Sequence, residues 1–119
     1  MVVDELTQDE ADRVFHALAD ATRRDIVLRV LGDEQSVSAL ADHYPMSFAA
    51  VQKHVAVLER AGLVAKRRSG REQLVRGEVG TLRRAGQLLD QLDLLWRARM
   101  DRFGDLLDET PDDDEGASR

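Results

Sequence analysis

Cysteine is absent from the 119 residues, which excludes disulfides and thiolate metal ligation. Aromatic residues are scarce, at 4% of the chain. A core must therefore rest on leucine, valine and alanine, a composition that favours helices. No apolar run approaches the roughly 18 residues of a membrane-spanning helix, so no membrane partner is expected. The opening residues, Met1 to Glu5, lack the basic and apolar regions of a signal peptide, and a cytoplasmic location is expected by default. There is no glycine-rich phosphate loop, and no histidine stands near a carboxylate cluster in a catalytic motif. Neither a catalytic site nor a cofactor is expected. What remains is sufficient for one folded domain, because 43% of the residues are hydrophobic.

The net charge is -6, which at first disfavours a nucleic-acid partner. Its distribution reverses that reading. Acids gather at the amino end (Asp4, Glu5, Asp9, Glu10, Asp12) and at the carboxyl end, from Asp105 to Glu115. Between Ser47 and Arg76 lie Lys53, Arg60, Lys66, Arg67, Arg68, Arg71 and Arg76, opposed only by Glu59 and Glu72. Seven cations against two acids leave this stretch at +5. Nucleic acid responds to a local basic face, not to the sum.

Thr7-Gln8-Asp9-Glu10 fits a capping box opening a first helix, with Ala11, Val14, Phe15 and Leu18 on one face. Asp20 suits the cap of a second helix that turns Ile26, Val27 and Val30 inward and ends at Gly32. Ser36 suits the cap of a short third helix, which Tyr44-Pro45 breaks. Ser47 caps a fourth, running to about Ala61, with Gly62 at its C′ position and an apolar stripe of Phe48, Val51, Val55 and Leu58. Leu63-Val64-Ala65 and Leu74-Val75 read as two short strands around a Ser69-Gly70 turn. The longest helix spans about Gly80 to Leu107, with apolar residues at spacings of three and four from Leu82 onward. The expected fold is mainly α with a small β-hairpin, in the order α-α-α-α-β-β-α. The third and fourth helices make a helix-turn-helix, and the hairpin is its wing. Residues 1–107 form this domain, and the acidic tail 108–119 is expected to be disordered.

Opposite the fourth helix's stripe lie Ala49, Gln52, Lys53, Ala56 and Arg60. The small alanines let a helix approach the floor of the major groove. Gln52 can pair with adenine, Lys53 can reach guanine or a phosphate, and the helix start at Ser47 offers N–H groups to a phosphate. Lys66, Arg67, Arg68 and Arg71 on the hairpin are placed to grip backbone phosphates, the competing reading being edge-strand protection by charge. His54 lies beside the stripe, where it either touches a phosphate or fills the rim of the core. His16 and His43 read as solvated side chains. On the long helix, Trp96 and Phe103 read as interface core rather than a ligand box. Its stripe, with Leu89, Leu92 and Met100, is too extensive for one short first helix to cover, so a homodimer is expected.

The strings LADATRRDIV at 18–27 and MSFAAVQKHVAVLERAGLV at 46–64, followed by REQLVR in the hairpin, resemble the ArsR/SmtB family of bacterial winged helix-turn-helix regulators. The resemblance covers roughly residues 11 to 107. It implies a homodimer whose first and last helices meet, so Val14 and Leu18 join Leu89, Leu92, Trp96, Met100 and Phe103 as interface candidates. It also implies binding of a two-fold symmetric operator in double-stranded DNA, usually to repress transcription. Metal-sensing members often carry Cys-Val-Cys at the start of the third helix, where this chain has Ser36-Val37-Ser38. Others place Asp and His ligands on the last helix, which here contains no histidine. The chain therefore resembles the metal-independent branch. Gln52 stands where many members have serine, so no operator sequence is carried over. Two other functions are weighed beside a DNA-binding regulator: a metal- or ligand-gated sensor with an unrecognised effector site, and a winged-helix module whose basic face binds an acidic protein.

Overall fold

In the computed structural model, residues 5–108 are described, and most of the acidic tail lies outside them. The chain divides into two compact units at the Gly86/Gln87 boundary.

In the first unit, α1 (Gln8–Leu18) opens with the expected capping box: Thr7 accepts from the Glu10 amide and Glu10 accepts from the Thr7 amide. Asp20 caps α2 (Ala21–Gly32) by accepting from the Arg23 amide. Ser36 and Ser47 cap α3 (Val37–Ala41) and α4 (Phe48–Arg60) in the same way, through the amides three residues on. Each cap satisfies one of the amides that a helix start leaves without an acceptor. Gly62 ends α4 at φ 79°, the left-handed conformation that a C′ glycine supplies.

The sheet departs from the sequence expectation. Strands β2 (Val64–Ser69) and β3 (Glu72–Gly77) are longer than their apolar cores, and a two-residue strand β1 (Gln35–Ser36) pairs with β3. The order is β1-β3-β2, antiparallel throughout, with Val64 opposite Gly77 and Ser69 opposite Glu72. The hairpin turns through Gly70-Arg71, not Ser69-Gly70. Gly70 sits at φ 61° and Arg71 stays at negative φ, the pattern of a type II′ turn that matches strand twist.

Val14 and Ala17 of α1, Ile26 and Val30 of α2, Leu40 of α3, Val51, Val55 and Leu58 of α4, and Leu63 and Val75 beside them form one buried cluster. The apolar stripes read for α1 to α4 largely converge there. Phe48, placed on the stripe of α4, is 46% exposed. It is the first residue of the helix and overhangs the end of the core.

The second unit is the continuation of α5 (Val79–Asp108) beyond Gly86. Leu89, Leu92, Leu95, Trp96, Phe103 and Leu106 are all more than half exposed on it.

Candidate nucleic-acid interface

The helix-turn-helix is held by a polar junction behind the turn. Tyr44 donates its hydroxyl to Asp25 Oδ2 at 2.6 Å, and Arg29 Nε donates to the same oxygen at 2.8 Å. The Arg29 guanidinium lies 5.9 Å from the centre of the Tyr44 ring, a cation–π distance. These bonds fasten α2 to the segment that joins α3 to α4. The Tyr44 and Arg29 bonds, in that order, hold the Asp25 carboxyl below its ordinary range. Burial, aided by the bond to Asp25, pushes the Tyr44 hydroxyl up to about 12.

A second junction seats α4 from the other side. Arg23 Nε donates to the Ala17 carbonyl at 2.7 Å and Nη2 to that of His16 at 3.2 Å, so one guanidinium closes the end of α1. Its Nη1 lies 3.2 Å from His54 Nδ1. A guanidinium only donates, so this contact makes Nδ1 an acceptor. Asp20 Oδ2 is 3.9 Å from the same nitrogen. His54 is thereby placed against the start of α2, half-buried and apart from the outward ridge of α4.

That ridge is exposed. Phe48, Ala49, Gln52 and Lys53 are open to solvent, with Ala56 half-buried between them and the helix end. Ser47 spends its hydroxyl on the Ala50 amide, so the helix start still offers the amides of Phe48 and Ala49. Sequence reading missed Phe48 as a surface residue, because an apolar residue at stripe spacing carries no signal that the core stops short of it. Arg60 is also exposed but lies about 12 Å further along the axis than Gln52. It lines a cleft with Arg13, His16 and Val57, away from the amino end of the ridge.

Strand alternation divides the basic wing residues. Lys66 and Arg68 share one side of β2, and Lys66 Nζ meets Glu59 Oε1 of α4 at 3.4 Å. That side therefore faces α4. Arg67 points to the opposite side, where Nε and Nη2 each bond a different oxygen of Glu34 at 3.0 Å. Among the described residues, Lys53, Arg68 and Arg71 have no hydrogen-bond or ion-pair partner. The charge count along 47–76 could not include Glu34, which reaches the wing only through the pairing of β1.

Of the residues expected at a dimer contact, Val14 is fully buried inside its own protomer and has no surface to give a partner. Leu18 is half-buried against the same core. Leu89, Leu92, Trp96, Met100 and Phe103 are all exposed. Among the described residues no three His, Asp or Glu side chains gather into a metal-binding group, and no helix is long and apolar enough to cross a membrane.

A capped helix behind a short turn, with a polar outward ridge and an antiparallel basic hairpin beside it, defines a winged helix-turn-helix protein. Residues 18–67 match the helix-turn-helix domain family. The HTH-type transcriptional regulator Rv2034 of Mycobacterium tuberculosis is 35% identical over 107 residues, which span 90% of this chain and 97% of that protein. An ArsR-like transcriptional regulator from Rhodococcus sp. RHA1 is 30% identical, with a TM-score of 0.75 over 86% of this chain and 96% of its own. The chain belongs to the ArsR family of winged helix-turn-helix transcriptional regulators. A possible ArsR-family regulator of Mycobacterium bovis, Mb0332, was solved as a homodimeric winged helix-turn-helix DNA-binding domain. It is 29% identical, with a TM-score of 0.55 over 78% of this chain and 80% of its own.

Proposed function

We propose that this regulator is a cytoplasmic homodimer that occupies a two-fold symmetric DNA operator and represses transcription, without metal or cofactor. The observation that carries the reading is the exposed ridge Phe48-Ala49-Gln52-Lys53 beside the unpartnered Arg68 and Arg71. Ala49 and Ala56 let the helix sink into the major groove. Gln52 presents a donor and an acceptor to adenine, and Phe48 offers an apolar surface to a thymine methyl. Lys53, the amides at the start of α4, and Arg68 and Arg71 of the wing meet phosphates.

The exposed stripe on α5 supports the dimer, as does the homodimeric relative from Mycobacterium bovis. Trp96 at 58% and Phe103 at 57% exposure are costly to leave in water, each large apolar side chain gaining roughly 1.5–3 kcal/mol when covered. A two-fold dimer would set two copies of α4 about 34 Å apart, one turn of the duplex. Metal independence is supported by the hydroxyls of Ser36 and Ser38 where a sensor needs thiolates, and by an α5 with no imidazole. The reading assigns binding and no chemistry.

Selection from random duplex DNA with purified protein tests this. The expected result is an inverted repeat bound equally well in zinc and in EDTA. Enrichment of no sequence, or a tenfold metal-dependent change in affinity, contradicts it.

A further inference from the structure

Glu34 stands just before β1, 33 residues from Arg67 in sequence, yet it engages that guanidinium fork to fork. Both bonds are 3.0 Å, one to each carboxylate oxygen. This is the geometry with which arginine takes a phosphate. The carboxylate therefore takes two of the five guanidinium donors, the pair on the bidentate edge, and neutralises the charge that a DNA phosphate would seek. The two ends of the pair differ in cover, Glu34 being 28% exposed and Arg67 55%. Glu34 lies in a small depression with Ala65, Lys66, Arg67 and Arg76. The small Ala65 leaves room on that side of the sheet for the carboxylate to reach β2. The bond to Arg67 holds the Glu34 carboxyl below its ordinary range, so the pair stays charged at neutral pH. Lys66 makes only a single contact with Glu59, at 3.4 Å, and Arg68 and Arg71 make none among the described residues.

We propose that Glu34 sets the strength of the wing's grip on DNA by withholding Arg67, leaving Arg68 and Arg71 as the phosphate anchors. The proposal rests on the DNA-binding reading above and narrows it. Phosphate contacts raise affinity for every duplex alike and carry no sequence information. A carboxylate that removes one such contact from each wing lowers background binding without touching the helix that reads bases.

The test compares the salt dependence of binding for wild type, Glu34→Gln, Arg67→Gln, the double variant and Arg68→Gln as the phosphate-contact reference, on the selected duplex and on a scrambled one. Glutamine keeps the shape of Glu34 but loses the charge that holds the guanidinium. Each released arginine adds about 0.9 to the slope of log affinity against log salt, or about 1.8 per dimer. Glu34→Gln is thus expected to bind both duplexes more tightly, with an advantage that shrinks roughly twelvefold between 50 and 200 mM salt. Arg67→Gln alone is expected to keep the wild-type slope, and the double variant to return to it. If Arg67→Gln flattens the slope as much as Arg68→Gln does, Arg67 is a phosphate contact and the proposal is overturned. It is also overturned if the steeper slope of Glu34→Gln persists without Arg67, because overall charge is then the cause. Glu34→Ala, which removes the carboxylate altogether, is the second release variant and is expected to steepen the slope in the same way; a wild-type slope in whichever release variant folds overturns the proposal. A wild-type protein that binds no duplex overturns this proposal and the DNA-binding reading together.

Discussion

Tyr44 shows how one side chain ties the helix-turn-helix to its support. Its hydroxyl is protonated in the bond to Asp25, and burial pushes it up to about 12 from an ordinary value of 10.0. A group whose pKa rises on folding stabilises the fold fully below its unfolded value and loses that contribution as pH climbs through the folded one. The contribution of Tyr44 is therefore intact up to pH 10 and declines from there to about 12. Asp25 runs the other way. Its carboxyl is held below the ordinary 3.8, so its contribution is present above that value and fades as the pH falls. Denaturant unfolding of wild type and Tyr44→Phe across pH 9 to 12 checks the alkaline arm. The wild-type advantage is expected to shrink over this window, and parallel curves would contradict the account. At this scale the caps Thr7, Asp20, Ser36 and Ser47 were legible, because each acts on an amide three residues away. The distant partners of Asp25, Arg23 and His54 were not. Arg29 is a local i,i+4 neighbour of Asp25, but Tyr44 lies 19 residues from Asp25 and His54 lies 31 from Arg23, and nothing local in the sequence couples those.

Among the elements, β3 approaches α2 closely at Gly77. A methyl group on Gly77 would lie 2.6 Å from Leu31 Cδ2, 2.9 Å from Cγ and 3.2 Å from Cα. The side-chain tip can rotate away, but the backbone atom cannot. Gly77→Ala is expected to destabilise the protein by about 1–3 kcal/mol. Gly32→Ala, at a helical position with open space around it, is expected to be neutral or to stabilise by up to about 1 kcal/mol. Thermal unfolding of the two variants checks the pair, and equal midpoints would contradict this packing. The helices of the first unit were legible as elements because their apolar spacing largely coincides with burial, and the rest of α5 because its apolar spacing keeps the helical period although that face is exposed. The sheet was less so. Residues 66–69 of β2 are exposed, and they are held in the strand by backbone pairing and by the ion pairs of Lys66 and Arg67, none of which leaves an apolar signature. A strand of two residues, Gln35–Ser36, has no room for any pattern. Because β1 was illegible, so was the path by which Glu34 meets Arg67, and the basic wing looked uniform when it is divided between two sides.

At the scale of the whole molecule, the proposed function joins two protomers to one duplex. Replacing Trp96 and Phe103 together with serine removes two large apolar side chains from the exposed stripe of α5 and is expected to give monomers. Sedimentation at micromolar concentration checks this, and a wild-type monomer would contradict it. The central claim is that α4 reads bases while the wing anchors the backbone. A salt titration of Gln52→Ala and Arg68→Ala on operator and scrambled DNA tests it most directly. Counterion release follows charge, whereas base discrimination follows paired donors and acceptors. Arg68→Ala is expected to weaken binding to both duplexes alike and to flatten the salt slope by about 0.9 per protomer. Gln52→Ala is expected to leave the slope unchanged and to cost roughly 1–3 kcal/mol on the operator alone. The contradicting result is a Gln52→Ala protein equally weak on both duplexes beside an Arg68→Ala protein with altered sequence preference.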